Sequence, residues 1–501
     1  MALTPEDAKV LIFVVAYNAE KTIQQVLRRI PVGELPPHTD VLVIDDSSAD
    51  STFALAQEFS AASGGINIKV LYNPENQGYG GNQKIGYAYA IEQGYDIVVL
   101  LHGDGQYAPE KMPDLIQPLL DDQADACFGS RMMERGAALR DGMPRYKYIG
   151  NRILTWFENR VLGTDLSEFH SGYRAYRVDA LRKVPFRYNT NDFHFDTDII
   201  IQFVLGDLRI KEVKIPTYYG DEICHVNGML YAVNVVLSVL GSKVSRWGIL
   251  YQRRFDVSSE RVHYPLKQGY ESSHTVAANA VRSDSEVLDL ACGPGGVAGL
   301  LKSKGCHVTG VDLEQADDSS FDKFIQHDLN SDYLPQELGT YDTILLLDAI
   351  EHFARPERFM ELLRDKCYAE RTNIIITTPN IAVLPMRISL LLGQFNYGPR
   401  GILDLTHTRL FTFRSLKRML REEGYEVLRV QGIPAPFPEA VSNGMLGRTL
   451  LEINRFMIAL WPSMFAYQIF VEARFRPPLA NLLELSMRRG NAVVPDISAA
   501  E

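Results

Sequence analysis

His102, Asp104 and Gln106 alternate along HGDGQ, directly after the apolar run of residues 97–101. Five apolar residues with β-branched members read as a short buried strand. An imidazole, a carboxylate and an amide at its exit can hold a divalent cation, and a cation there can neutralise a diphosphate. The same residues also suit a surface turn whose aspartate caps the next helix. The flanking segments decide between these readings. VLIFVV (10–15) ends before Tyr17, VLVI (41–44) before Asp45 and Asp46, and ACFGSR (126–131) runs out on Arg131. Helical patterns and a glycine-rich loop lie between them. Strands alternating with helices predict an α/β fold with a doubly wound parallel sheet, which puts Tyr17, Asp46, Asp104 and Arg131 at strand exits on one edge.

VVAYNAE, VIDDSS, NQGYGGNQKIGYA, HGDGQY, GSR and SGYRAY, in that order over about residues 8–250, resemble the family-two glycosyltransferases. Within that family the branch resembled is the dolichyl- and polyprenyl-phosphate sugar synthases. The resemblance implies a nucleotide-diphosphate-sugar donor, a divalent metal (Mn or Mg) and inversion at the anomeric carbon. It assigns Tyr17 to stacking on the donor base, Asp46 to hydrogen-bonding it, Arg131 to a place near the phosphates, and Arg174 to a phosphate or carboxylate contact. The family metal loop reads Asp-x-Asp-x-Gln. Asp104 and Gln106 match its second and third positions, and His102 stands at the first. Imidazole can ligate manganese but brings no negative charge, so His102 is either a ligand or a residue behind the ligands. In NDFHFDTDIIIQ, Asp196 and Asp198 precede a helical run. Either can cap the helix, and either can serve as general base for a hydroxyl acceptor, with Asp196 favoured. A lipid-phosphate acceptor is already an anion and needs no base.

The 501 residues suit two to four domains. A formal charge of −11 speaks against a nucleic-acid partner. The cysteines are scattered without metal-like pairing, and the first residues carry acids where an export signal needs bases, so a cytoplasmic setting is expected. No run reaches the ~18 apolar residues of a membrane span. GMLYAVNVVLSVL (228–240), followed by Lys243, Arg246, Arg253 and Arg254, comes nearest. It fits an interfacial helix making peripheral membrane contact, or a helix buried on the sheet, with the second favoured. Residues 456–470 share that ambiguity.

Residues 253–280 read as a linker and entry helix, after which the strand pattern restarts. EVLDLA runs into CGPGG and a helix, and the next strand ends on Asp312 about 20 residues later, where an acid can take two ribose hydroxyls. Further exits carry Asp328 with Leu329, and Asp348, Glu351 and His352. DLACGPGG, VDLE, HDL and LLLDAIEH together resemble the Rossmann-like S-adenosylmethionine-dependent methyltransferases from residue 256 to about 480. A nicotinamide-dependent dehydrogenase would carry GxGxxG instead of CGPGGVAG. The resemblance implies that Asp289, Gly293 and Gly295 line the methionine moiety, Asp312 binds the ribose, and Asp328 with Leu329 frames the adenine. LDLTHTRLFT (403–412) resembles the acceptor side of methyltransferases of polysaccharide synthesis, so His352 or His407 can take the hydroxyl proton.

The expectation is a fusion of two Rossmann-like domains, 1–252 and 253–485, with a disordered tail at 486–501. The first moves a sugar onto a polyprenyl phosphate or glycan. The second methylates a sugar oxygen in the same cell-surface pathway. The alternatives are that one half is a binding module, or that the methyl acceptor is a lipid or isoprenoid.

Overall fold

The computed structural model describes residues 3–63, 65–217, 227–246, 251–257, 270–315, 320–369, 371–440, 444–477 and 481–482. The expected tail at 486–501 lies outside them, as do residues 258–269 of the expected linker. The chain separates into two compact units, the first Met1–Arg246 with Tyr251–Arg261, and the second built mainly from Val262–Glu501.

The first unit is a seven-stranded sheet formed by β1 (Lys9–Ala16), β2 (His38–Asp45), β3 (Asn67–Tyr72), β4 (Ile97–His102), β5 (Ala126–Ser130), β6 (Arg174–Arg177) and β7 (Ile210–Lys214). Their order is β3-β2-β1-β4-β6-β5-β7. All pairings are parallel except those of β6, which runs against β4 and β5. The central strands β1 and β4 are buried on both faces, which explains why they read as continuous apolar runs. In β1, Val10, Ile12 and Val14 pack with Ile23, Val26, Leu115 and Leu119 on one side. Leu11 and Phe13 pack with Tyr87, Ile199 and Phe203 on the other.

The second sheet comprises β8 (Glu286–Leu290), β9 (His307–Asp312), β10 (Lys323–Gln326), β11 (Thr343–Leu347), β12 (Asn373–Pro379), β13 (Tyr425–Ile433) and β14 (Gln468–Phe475). Its order is β10-β9-β8-β11-β12-β14-β13, with β14 antiparallel to both neighbours. Both sheets thus reverse their winding between two central strands, β1 and β4 in one and β8 and β11 in the other. Loops part there and open a crevice at the carboxyl ends of the strands. Four non-glycine residues with positive φ sit at these exits: Asn18 and Ser47 in the first unit, Ala291 and Asp348 in the second. Such backbone costs of order 1 kcal/mol each and gathers at sites where the chain must turn sharply to present side chains.

Two apolar stretches differ from expectation, the first being the helix Gly228–Arg246. Its segment Gly228–Ser245 is long and apolar enough to cross a membrane by length and composition, and only 22% of that segment is buried. It is therefore not a helix buried on the sheet. Val235 and Val239 pack inward with Leu154 and Phe157 of the helix Arg145–Leu162, while Met229, Leu230, Val233, Leu237 and Leu240 face outward. Residues 456–470 are not one helix. The helix Met445–Leu460 ends there, the short turn Pro462–Phe465 follows, and β14 begins at Gln468.

Candidate active sites of the two units

In the first unit, the loops after β1 and β2 are tied together. Asn18 N donates to Ser48 Oγ at 2.9 Å, and Ala49 N donates to Asn18 Oδ1 at 3.0 Å. Tyr17 stands beside this tie with its ring half exposed. Asp46 is buried, and its Oδ1 accepts from Asn73 Nδ2 at 2.7 Å and from Gln77 N at 2.9 Å.

One strand over, His102 ends β4. Its Nδ1 lies 3.9 Å from Asp104 Oδ2, and its Nε2 lies 3.1 Å from the hydroxyl of Tyr79. That hydroxyl donates to Asp196 Oδ2 at 3.0 Å, and Asp196 Oδ1 accepts from Gln83 Nε2 at 3.2 Å. With the phenol proton given to Asp196, the phenol oxygen accepts from His102 Nε2–H, and the Nδ1 lone pair is left facing Asp104. Burial pushes the His102 pKa down, so the ring is neutral. Burial and Asp196 push the Tyr79 pKa well up, so the phenol stays protonated. Asp104 Oδ1 accepts from Gln106 N at 3.0 Å, which closes the loop after β4.

Two glycines make this arrangement possible. A Cβ on Gly80 would lie 2.5 Å from Thr190 O, so only glycine lets the helix Tyr79–Glu92 start against the segment that leads into Asp196. A Cβ on Gly172 would lie 2.5 Å from His102 Nε2 and 2.7 Å from the Tyr79 hydroxyl. Tyr79 is the residue the sequence reading missed. Its signal was its place between the glycines of NQGYGG.

Both arginines, expected at phosphates, are engaged by protein groups. Arg174 is 1% exposed, and its guanidinium donates to the carbonyls of Ser171 (2.7 Å), Phe169 (2.7 Å) and Asp196 (3.0 Å). It also lies 3.7 Å from Asp196 Oδ2, so it holds a protein carboxylate and its segment rather than a ligand. Arg131 forms a fork on the buried Glu168, whose carboxylate also accepts from Arg131 N at 2.7 Å and Asn151 Nδ2 at 2.8 Å. Burial raises the Glu168 pKa, but Arg131 and these hydrogen bonds outweigh it and bring the value below the usual range. Of the two acids before the helix Phe195–Leu205, Asp198 is wholly buried and paired with Arg254 at 2.8 Å, whereas Asp196 faces Tyr79.

In the second unit the chain leaves β8 through Ala291 and turns at Gly293 (φ +54°) and Gly295 (φ +84°) into the helix Gly296–Lys302. Asp312, at the end of β9, accepts from Gly293 N at 2.8 Å and Glu314 N at 3.1 Å. Asp289 is buried in β8, and burial together with the nearby Asp312 pushes its pKa up to about 7. Asp328 is exposed beside the buried Leu329 and accepts from Asn330 N at 2.9 Å. Across the crevice, His352 and His407 meet edge to face with ring centroids 4.8 Å apart. Burial, then His407, lowers the His352 pKa.

Residues 11–185 match the family model described as glycosyl transferase family 2, and residues 266–430 match one described as a methyltransferase domain. The chain is therefore an enzyme that joins a family-two glycosyltransferase domain to a methyltransferase domain. An undecaprenyl-phosphate mannosyltransferase of Micrococcus luteus is 29% identical over 248 residues, spanning 48% of this chain and 94% of that protein. A polyprenol monophosphomannose synthase of Mycolicibacterium smegmatis is 26% identical over 242 residues, spanning 48% and 87%. Among solved structures, glucosyl-3-phosphoglycerate synthase from Mycobacterium tuberculosis, in complex with Mn2+, uridine diphosphate and glucosyl-3-phosphoglycerate, matches at 19% identity and a TM-score of 0.37, covering 47% of this chain and 80% of that one.

Proposed function

We propose that the first unit transfers a sugar, with inversion, from a nucleotide-diphosphate donor to a polyprenyl phosphate at the inner face of a membrane. The second unit then methylates a sugar oxygen of the same product with S-adenosylmethionine. The observation that carries the acceptor is the outward face of two packed helices. Tyr146, Ile149, Ile153 and Trp156 on Arg145–Leu162 recur at helical spacing and are all exposed, as are Met229, Leu230, Val233, Leu237 and Leu240 on Gly228–Arg246. Arg145, Lys147, Arg152 and Lys243 flank them. An apolar face with a basic border suits an anionic lipid surface, where a polyprenyl phosphate resides. The relatives named as polyprenyl-phosphate sugar transferases support the same acceptor.

The residues at the end of β4 fit a divalent cation. His102 Nδ1 and Asp104 Oδ2 stand 3.9 Å apart, and the proton of His102 is already committed to Tyr79. Gln106 adds a side-chain oxygen in the same loop. The cation supplies positive charge against the diphosphate leaving group. Tyr17 and Asp46 bind the donor base. Asp196 positions Tyr79 and through it His102. A phosphate acceptor attacks as an anion, so proton abstraction by Asp196 is not required. In the second unit, Asp289, Gly293, Gly295 and Asp312 fit the methyl donor, with Asp328 and Leu329 at its adenine, and His352 and His407 stand on the acceptor side.

The test is the whole protein in vesicles containing polyprenyl phosphate, with a panel of radiolabelled nucleotide sugars and manganese. Label passing into the organic-soluble lipid fraction is the expected result. Label transferred only to water or to a soluble glycan would overturn the lipid acceptor.

A further inference from the structure

We infer that Glu351, His352 and His407 form a divalent-metal site in the second unit that binds the acceptor hydroxyl; the inference rests on reading that unit as a methyltransferase. One ligand atom from each residue lies within 4.8 Å of the other two. Glu351 and His352 sit in the turn Ile350–His352 that follows β11, and His407 comes from a distant loop. The loop is fastened to the turn by its backbone, for Glu351 O accepts from Thr408 N at 2.9 Å and from Arg409 N at 3.0 Å.

The protons on the two rings are assigned by their partners. His352 Nδ1 lies 3.2 Å from Thr406 O, and His407 Nδ1 lies 2.9 Å from Ile402 O. A carbonyl only accepts, so each Nδ1 carries the proton and each Nε2 is left with its lone pair. Glu351 Oε2 accepts from Thr378 Oγ1 at 2.8 Å, which fixes the carboxylate. Two imidazoles and a carboxylate, each oriented by a hydrogen bond behind it, are the donor set and outer support of zinc- or manganese-type sites that keep a position open for substrate. Two histidines acting as bases would need neither the carboxylate nor the matched orientation of both rings.

The location fits methyl transfer. β11 pairs directly with β8, with Leu346 opposite Leu290, so the turn bearing Glu351 and His352 leaves the sheet beside the glycine loop. A cation held there would bind a sugar hydroxyl next to the methyl donor and lower its pKa. The methyl C–S bond breaks as the C–O bond forms, the sulfonium becomes a neutral thioether, and the hydroxyl proton passes to water.

The test uses the full chain carrying His102→Ala and Asp104→Ala, which deletes two of the ligands of the cation site proposed in the first unit. Cobalt(II) is titrated in and its visible absorption followed, with stabilisation by S-adenosylhomocysteine as a separate readout. One tight equivalent of cobalt is expected, weakened about 10–100-fold or more by adding His407→Asn or Glu351→Gln, with the response to S-adenosylhomocysteine retained. Should one of these variants fail to fold, the other is read. Absence of tight cobalt binding, or binding insensitive to both variants, would overturn the metal site. Loss of the S-adenosylhomocysteine response in the parent would instead overturn the methyltransferase reading beneath it.

Discussion

Tyr79 and Asp196, 117 residues apart in the chain, are joined by a 3.0 Å hydrogen bond at the starts of two helices. That bond sets the direction of the next one, in which His102 Nε2–H meets the phenol oxygen and Nδ1 is turned toward Asp104. Outer partners of this kind are worth about 10–100-fold in metal affinity or activity. Tyr79→Phe keeps the ring stacked on Phe193 (centroids 5.4 Å apart) and removes only the hydroxyl. Sugar transfer is expected to fall within that range and to require more manganese, which a metal titration of the initial rate will show. An unchanged manganese dependence would remove Tyr79 from the account.

Arg174 separates structural from ligand-binding roles. Removing it strands three carbonyls and leaves the nearly buried Asp196 without its cation. Breaking a buried pair from one side costs about 3–5 kcal/mol. Arg174→Met should therefore lower the melting temperature of the first unit by many degrees. A stable variant with only a raised KM for the donor would restore the phosphate-contact role.

Asp289 makes the second unit pH-sensitive. Its folded pKa of about 7 lies above the unfolded value of 3.8, so the folded state holds its proton more tightly. Stability is then full below the unfolded value and declines as pH rises to the folded value, by at most about 4 kcal/mol. Asp289→Asn should flatten that decline in urea melts between pH 4 and pH 7. An ammonium-bearing methyl donor favours the ionised carboxylate, so its binding near pH 6.5 should release a fraction of a proton, measurable by calorimetry in buffers of different ionisation enthalpy. A variant with the same pH slope as the parent would contradict the assignment.

The apolar helix face predicts vesicle binding. Trp156 and Leu237 are 67% and 61% exposed, so their replacement by glutamate leaves the buried core in place. Losing an apolar contact worth about 1.5–3 kcal/mol should weaken binding to anionic vesicles by tenfold or more per site. Flotation assays measure this, with nucleotide-sugar binding as the fold control. Equal flotation of both variants and the parent would exclude this face.

Much of this protein was legible in its sequence because α/β sheets write themselves plainly. Buried parallel strands such as VLIFVV and TILLL are continuous apolar runs, and chemistry follows where they stop. That reasoning located Tyr17, Asp46, Asp104 and Asp312 at strand exits, and Asp289 just ahead of the glycine loop. Direction is harder to read. Arg131 sits at its expected exit and Arg174 opens β6, but whether a guanidinium points at a ligand or at Glu168 and backbone carbonyls depends on residues far along the chain. The helix at 228–246 misled for a related reason: composition shows that a helix is apolar, not which of its faces finds a partner. Tyr79 was passed over because a tyrosine among glycines carries no charge and no periodic signal.

On the proposed function, Asp104 serves sugar transfer in a unit chemically independent of the methyltransferase. The most direct measurement takes Asp104→Ala in the full chain and follows, side by side, label transfer to polyprenyl phosphate and stabilisation by S-adenosylhomocysteine. Transfer should be lost and the stabilisation should match that of the parent. Transfer persisting at the parental rate would contradict the cation site on which the account of the first unit stands.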